Sequence, residues 1–444
     1  MNWKQLLSSN RLGKTTKAES FRSAFEQDYD RIIFSHPFRR LQDKTQVHPL
    51  PEYDFVHTRL THSLEVSSVG RSLGKKVGEA ILSKYSELAN DGFTSYDFGA
   101  IVAAAALAHD IGNPPFGHSG ESAISDFFNA KEKTELFKNH MSNQQWADIT
   151  NFEGNAQGFR LMNQTNGLQL TYATLAAFTK YPRPSLLNEC DKSRKSQKKY
   201  GYFQSNKMEF ADLASKVGLQ KFSEEGVWSR HPLAFLVEAA DDICYQVIDL
   251  EDGCRLELVS YEETVDLLGG IIGKSFDPEK LGKYDSDAER IGVLRAMAIG
   301  KLVDECVAVF LEHEEQLLSG EFDKALTGLI PSANILSKIE ALSIAKIYQS
   351  RKVLEKEAAG FEVLPGLLEA FSTAVYHYYF DKEQFTKKLQ NLIRLLPEDI
   401  KAKMDQSPDS LYNLLMITTD FISGLTDTHA LSLYRKIKGI SLPQ

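Results

Sequence analysis

Between Phe98 and Ala108 the chain reads Phe-Gly-Ala-Ile-Val-Ala-Ala-Ala-Ala-Leu-Ala, and the next two residues are His109 and Asp110. An apolar run of this length is too short to span a bilayer and reads as a buried core helix. A histidine and an aspartate delivered at the end of such a helix must be paired, hydrogen-bonded or metal-bound, because burying them bare is costly. Beyond them, Gly112, Pro114, Pro115 and Gly117 make a turn that releases a second polar pair, His118 and Glu121. A fold that can hold this stretch needs other apolar helices around it, and the sequence supplies them.

From Thr58 onward, Val66, Val69, Leu73 and Val77 recur at helical spacing and define one apolar face. His62 lies one turn before Val66 on that face, with Arg59 three residues earlier. A second strong helix is expected from Pro232 to about Leu250, with Val237, Ala240, Cys244, Val247 and Ile248 on its apolar side. Asp241 falls on that flank, whereas Asp242 groups with Glu238, Tyr245 and Asp249. A carboxylate on an apolar face wants a cation, so Asp241 is the better ligand candidate of the two. Residues 185–207 read as a long polar loop, and the chain beyond about 290 reads as almost wholly helical. The expected fold is all-α, with a small β-hairpin near residues 45–57 around its prolines. A boundary is expected near 275–290, dividing a catalytic region 1–285 from a helical C-terminal region 286–444.

A net charge of −9 over 444 residues makes the whole molecule a poor electrostatic match for nucleic acid, although Lys192-Ser-Arg-Lys-Ser-Gln-Lys-Lys199 is locally basic. Four cysteines without Cys-x-x-Cys spacing form neither a zinc ribbon nor a disulfide framework. With an N-terminus lacking a signal-peptide core and no uninterrupted apolar run of transmembrane length, the expectation is a cytoplasmic protein without a membrane partner.

His62, His109, Asp110 and Asp241 thus stand out as two imidazoles and two carboxylates placed inward or at helix ends. That mixed nitrogen and oxygen set suits a divalent ion, with manganese, magnesium, zinc, iron, nickel and cobalt all compatible. On an octahedral ion it leaves open positions, the arrangement that catalysis needs and a closed structural site lacks.

These residues resemble a known family. Arg59-Leu-Thr-His62-Ser, His109-Asp110 and Glu238-Ala-Ala-Asp241-Asp-Ile-Cys-Tyr245 resemble the H…HD…D pattern of the HD-domain metal-dependent phosphohydrolases. Longer stretches are similar to bacterial dGTP triphosphohydrolases: Asp28-Tyr-Asp-Arg-Ile-Ile-Phe-Ser, Phe38-Arg-Arg-Leu-Gln-Asp-Lys-Thr-Gln46, His109-Asp-Ile-Gly-Asn-Pro-Pro-Phe-Gly-His118, Phe152-Glu-Gly-Asn-Ala-Gln157 and Ser423-Gly-Leu-Thr-Asp427. The resemblance implies metal-dependent hydrolysis of a deoxynucleoside triphosphate, dGTP first, to deoxynucleoside and inorganic tripolyphosphate.

It also implies roles for single residues. His118 and Glu121 become the proton-transfer pair, the carboxylate orienting the imidazole. Arg59, Lys180 and Arg351 match phosphate contacts, with Lys199 a weaker candidate. Tyr245 matches the residue pressed on the sugar, and Gln46 and Asp249 match those that bind the 3′-hydroxyl. Asn113 and Asp242 depart from relatives that carry histidine and lysine there, so the remaining cations must carry more of the triphosphate charge. A homo-oligomer, hexameric by resemblance, and single-stranded DNA are the implied partners besides the nucleotide. The competing readings are another HD phosphohydrolase, such as a nucleotidase, a cyclic-nucleotide phosphodiesterase or a broad dNTPase, and a DNA-binding nucleotide sensor.

Overall fold

The structure, a computed structural model, describes residues 1–11, 22–47, 57–164 and 168–441. Eight helices position the site: α1 (Arg59–Lys84), α2 (Ser95–Ala108), α3 (Gly117–Asn129), α4 (Pro232–Arg255), α5 (Asp287–Glu312), α6 (Arg351–Phe380), α7 (Leu411–Ser423) and α8 (Asp427–Ile437). The expected all-α class holds. The β-hairpin expected near 45–57 falls largely on residues outside the described ones, and at its base Thr45 and Thr58 form an isolated antiparallel bridge. Among the described residues the one sheet lies elsewhere, as two short antiparallel strands, β1 (Lys221–Ser223) and β2 (Val227–Trp228).

The apolar run becomes α2, with every residue from Ile101 to Ala108 buried. Thr94 and Asp97 close a capping box at its start, satisfying backbone donors that a buried helix end cannot leave to water. α1 crosses it closely because Gly70, Gly74 and Gly78 face it; a Cβ at Gly74 would stand 2.6 Å from the Phe98 carbonyl oxygen. α4 packs against both, so α1, α2 and α4 form the centre of the fold.

Apolar side chains gather into two clusters. The first runs from Trp3 to Ile347 and holds the inner faces of α1, α2, α4 and α5. The second holds Phe116, the inner face of α3, and the buried sides of α6, α7 and α8. The expected division at 285/286 is not where these clusters part. α5 packs through Ile291, Leu294 and Phe310 into the first cluster, because its apolar face complements α4 and α1. The chain first passes between clusters inside the turn after α2, where Ile111 belongs to the first and Phe116 to the second, and it crosses again further on.

α6 is long and apolar enough, by length and composition alone, to cross a membrane. Half of its most apolar stretch is buried within the protein, where Leu364, Leu367, Leu368 and Phe371 form part of the second cluster. The sequence showed no uninterrupted run there because Glu362 and Glu369 interrupt it.

Candidate active site

Three helices deliver three ligand atoms to one point. His62 on α1, His109 at the end of α2 and Asp241 on α4 bring theirs within 4.8 Å of one another. Asp241 Oδ1 lies 3.2 Å from His62 Nε2 and 3.4 Å from His109 Nε2. His109 Nδ1 donates to the Ala106 carbonyl at 2.7 Å; a carbonyl can only accept, so the ring's other nitrogen is the one turned to the cluster. The donor set, two imidazole nitrogens and a carboxylate converging in a buried place, fits a divalent ion.

Asp110 stands beside this group. Its Oδ1 lies 3.6 Å from His109 Nε2 and accepts from Asn113 Nδ2 at 2.5 Å, while Oδ2 accepts from Arg59 at 2.8 Å. Burial alone would raise the Asp110 carboxyl, but Arg59 and the two histidines hold it well below the usual carboxylate range. Asp241 behaves alike: burial opposes its charge, and Lys180, 2.6 Å from Oδ2, and His109 overcome that. Burial pulls His109 down, yet Asp110 and Asp241 raise it overall. Lys180, expected at phosphate, is seated on the Asp241 carboxylate, and its ammonium neutralises it.

Across the turn, His118 Nδ1 lies 2.8 Å from Glu121 Oε2. The carboxylate is buried, whereas the imidazole is 79% exposed. Burial would raise Glu121, but the His118 hydrogen bond, the Lys199 ammonium and the Gly154 N–H keep it low, so the carboxylate accepts and Nδ1 donates. Gly154 N donates to Glu121 Oε1 at 2.8 Å. A Cβ at Gly154 would stand 2.7 Å from that same oxygen, so only glycine lets the backbone come this close. Lys199 pairs with Glu153 at 3.3 Å and reaches Glu121 at 4.0 Å.

On α4, Tyr245 and Asp249 follow Asp241 at successive turns. Tyr245 stacks on Tyr348, and the Tyr348 hydroxyl donates to Asp249 at 2.7 Å. Burial lifts Asp249 to about 7, helped by Asp252 and opposed by the Tyr348 bond. Tyr348 is a residue that sequence reasoning missed. It ends a π-helical turn, Ile344–Tyr348, and such turns recur at functional sites. Arg351, three residues on, is not brought to the group; its side chain is 90% exposed and pairs with Glu355 at 2.8 Å.

Of the expected site residues, Arg59 and Gln46 each keep a buried atom, Nε and Oε1, without a hydrogen-bond partner among the described residues. The basic run near Arg194 is largely matched: Arg194 pairs with Asp323 and Lys195 with Glu238. Asp242 turns away from the cluster and accepts from Thr327 at 2.7 Å.

Comparison with known proteins places this geometry. Residues 59–145 match the HD domain. Over its full length the chain is 43% identical to a deoxyguanosinetriphosphate triphosphohydrolase-like protein of Synechocystis, and 40% identical to one of Pseudomonas aeruginosa, covering 100% of each. A deoxyguanosinetriphosphate triphosphohydrolase of Yersinia pseudotuberculosis is 29% identical over 98% of this chain and 99% of its own length.

Proposed function

The chain belongs to the deoxyguanosinetriphosphate triphosphohydrolase family of HD-domain hydrolases, and from that premise we propose that it cleaves a deoxynucleoside triphosphate, dGTP first, into deoxynucleoside and inorganic tripolyphosphate. The observation that carries the reading is the pairing, across one turn, of a compact His62–His109–Asp241 cluster with an exposed imidazole oriented by a buried carboxylate. A site that only stored an ion would have no use for the second half.

His62, His109, Asp241 and, beside them, Asp110 would hold the ion, and manganese or magnesium is the proposed occupant. When bound, the ion supplies Lewis acidity toward a phosphate oxygen and toward water. Arg59, whose Nε has no protein partner among the described residues, contributes charge for the triphosphate, with Lys180 close by. Tyr245, Asp249 and Gln46 would receive the sugar, Asp249 and the orphaned Gln46 oxygen taking the 3′-hydroxyl. Arg351, solvent-facing beside Glu355, would join the phosphates only after its side chain swings in. In the reaction a water oxygen bonds to the α-phosphorus as the bond from that phosphorus to O5′ breaks; His118 gives its proton to O5′, and the proton the attacking water loses passes to solvent, from which His118 is reprotonated. Glu121 keeps the imidazole in the orientation for that transfer.

The test is product analysis with each of the four dNTPs and Mn²⁺ or Mg²⁺. Tripolyphosphate and free deoxynucleoside are expected, fastest from dGTP, with loss of turnover on chelation. Pyrophosphate with a nucleoside monophosphate would overturn the reaction.

A further inference from the structure

The Ser423–Asp427 stretch and the Phe38–Gln46 stretch stood out in the sequence, yet apart from Gln46 neither supplies a group to the chemistry above. The structure brings them together on the turn that separates the ligand cluster from the proton-transfer pair. Asp427 Oδ1 accepts from the Phe116 backbone N–H at 3.0 Å. Its other oxygen accepts from the Thr45 N–H at 3.2 Å and the Thr45 hydroxyl at 2.7 Å. Lys44 Nζ donates to the Asn113 carbonyl at 2.5 Å and to the Ser423 carbonyl at 2.9 Å. Arg40 donates to the Gly424 carbonyl at 3.0 Å.

The turn needs this support. Phe116 has φ 65°, a left-handed conformation that penalises a bulky residue, and Gly117 follows at φ 63°. Phe116 is the N-cap of α3 and makes no side-chain capping hydrogen bond there. Asn113, held by Lys44 through its carbonyl, also binds Asp110 through its side chain. The turn is thus fixed at Asn113 from one side and at Phe116 from the other.

We propose that Asp427, with Lys44 and Thr45 as its partners, is a positioning residue that sets where His118 and Glu121 stand relative to the ligand cluster. The proposal rests on the reaction argued above, since its kinetic readout is tripolyphosphate release. Asp427 touches no ligand atom of the cluster. On the turn it acts through the Phe116 peptide, and so on the start of α3, while Thr45 and, at 3.8 Å, Lys356 hold its other oxygen.

Replacing Asp427→Ala in the full chain should lower kcat on the order of 10- to 100-fold, the loss that a misplacement near 1 Å brings, with a smaller change in KM. Mn²⁺ affinity by calorimetry should stay at the wild-type value, because Asp427 reaches the turn at Phe116, beyond Asp110 and away from His62, His109 and Asp241. Amide exchange at Phe116 should speed up sharply. Glycine accepts positive φ without help, so in a Phe116→Gly background the same Asp427→Ala change should cost much less of kcat.

Unchanged kcat in Asp427→Ala, or a kcat loss no smaller in the Phe116→Gly background, would overturn the proposal. Should Asp427→Ala fail to fold, Thr45→Val removes a single hydrogen bond to the same carboxylate. It should lower kcat several-fold and speed Phe116 exchange, and wild-type values for both would overturn the proposal equally. If the wild type releases no tripolyphosphate from any dNTP, the reaction falls, and the exchange measurement alone decides whether Asp427 holds the turn.

Discussion

The two halves of the site are built in opposite ways. The ligand half is drawn from α1, α2 and α4, all locked in the first apolar cluster, with His62 and His109 buried. The proton-transfer half sits at the start of α3 on the second cluster, and its imidazole is 79% exposed although its carboxylate is buried. The difference follows from the chemistry proposed for each half. An ion is held by several donors at once, so their spacing must be fixed by packing on all sides. A proton-transfer group must reach substrate and exchange protons with water, so only its orientation is fixed, here by Glu121, Gly154 and Lys199.

Breaking the ligand half should have the largest effect. Asp241→Ala leaves Lys180 and two imidazoles without their common anion, and Mn²⁺ binding by calorimetry should disappear. Turnover should fall on the order of a thousandfold or more, since several kcal/mol of transition-state stabilisation go with the ion. The same half carries a pH signature. Asp110 and Asp241 raise His109, and an ion must displace the proton they favour, so wild-type affinity for Mn²⁺ should weaken as pH falls. Affinity that is flat with pH would contradict this account of the cluster.

The exposed half should break differently. His118→Ala should lower kcat by about 10²–10⁴, the usual worth of a general acid, while Mn²⁺ affinity stays at the wild-type value. Glu121→Gln keeps the shape but removes the charge that orients the imidazole, and its kcat should lie between that of His118→Ala and the wild type. Loss of Mn²⁺ binding in either variant would show that the halves are not separate.

What the sequence made legible tracks how local the signal is. α2 and the His109–Asp110 pair were readable because an unbroken apolar run ends on them. The phases of α1 and α4 singled out His62 and Asp241. Partners far apart in sequence were not readable: Lys180 on Asp241, Arg59 on Asp110, and Asp427 on Phe116 across 311 positions. The same holds for the acids that match the basic run, since Asp323 and Glu238 lie in other segments. Tyr348 escaped for a local reason, because the π-helical turn at Ile344–Tyr348 departs from the regular helical period used to read faces. The strands at 221–228 are three and two residues long, too short to show alternation.

The smallest predicted effect sharpens the comparison from the sugar side of the ligand half, where function and stability pull apart. Asp249 is buried and titrates near 7, so the folded protein holds its proton more tightly than the unfolded chain does. Well below pH 4 both states are protonated and the residue is neutral in stability terms. As pH rises toward 7 the unfolded chain gives up the proton freely while the folded one resists, and stability is lost over that window. Above 7 the penalty is constant. Asp249→Asn removes it while leaving an acceptor for the Tyr348 hydroxyl, so the variant should be more stable than the wild type at pH 8, by roughly 2–4 kcal/mol, with the gap nearly closed at pH 4. If Asp249 receives the 3′-hydroxyl, the same change should raise KM for a dNTP and not for its 3′-deoxy analogue. Urea unfolding at the two pH values checks the first half, and a variant no more stable at pH 8 than the wild type would show that the carboxylate is relieved by a partner other than Tyr348.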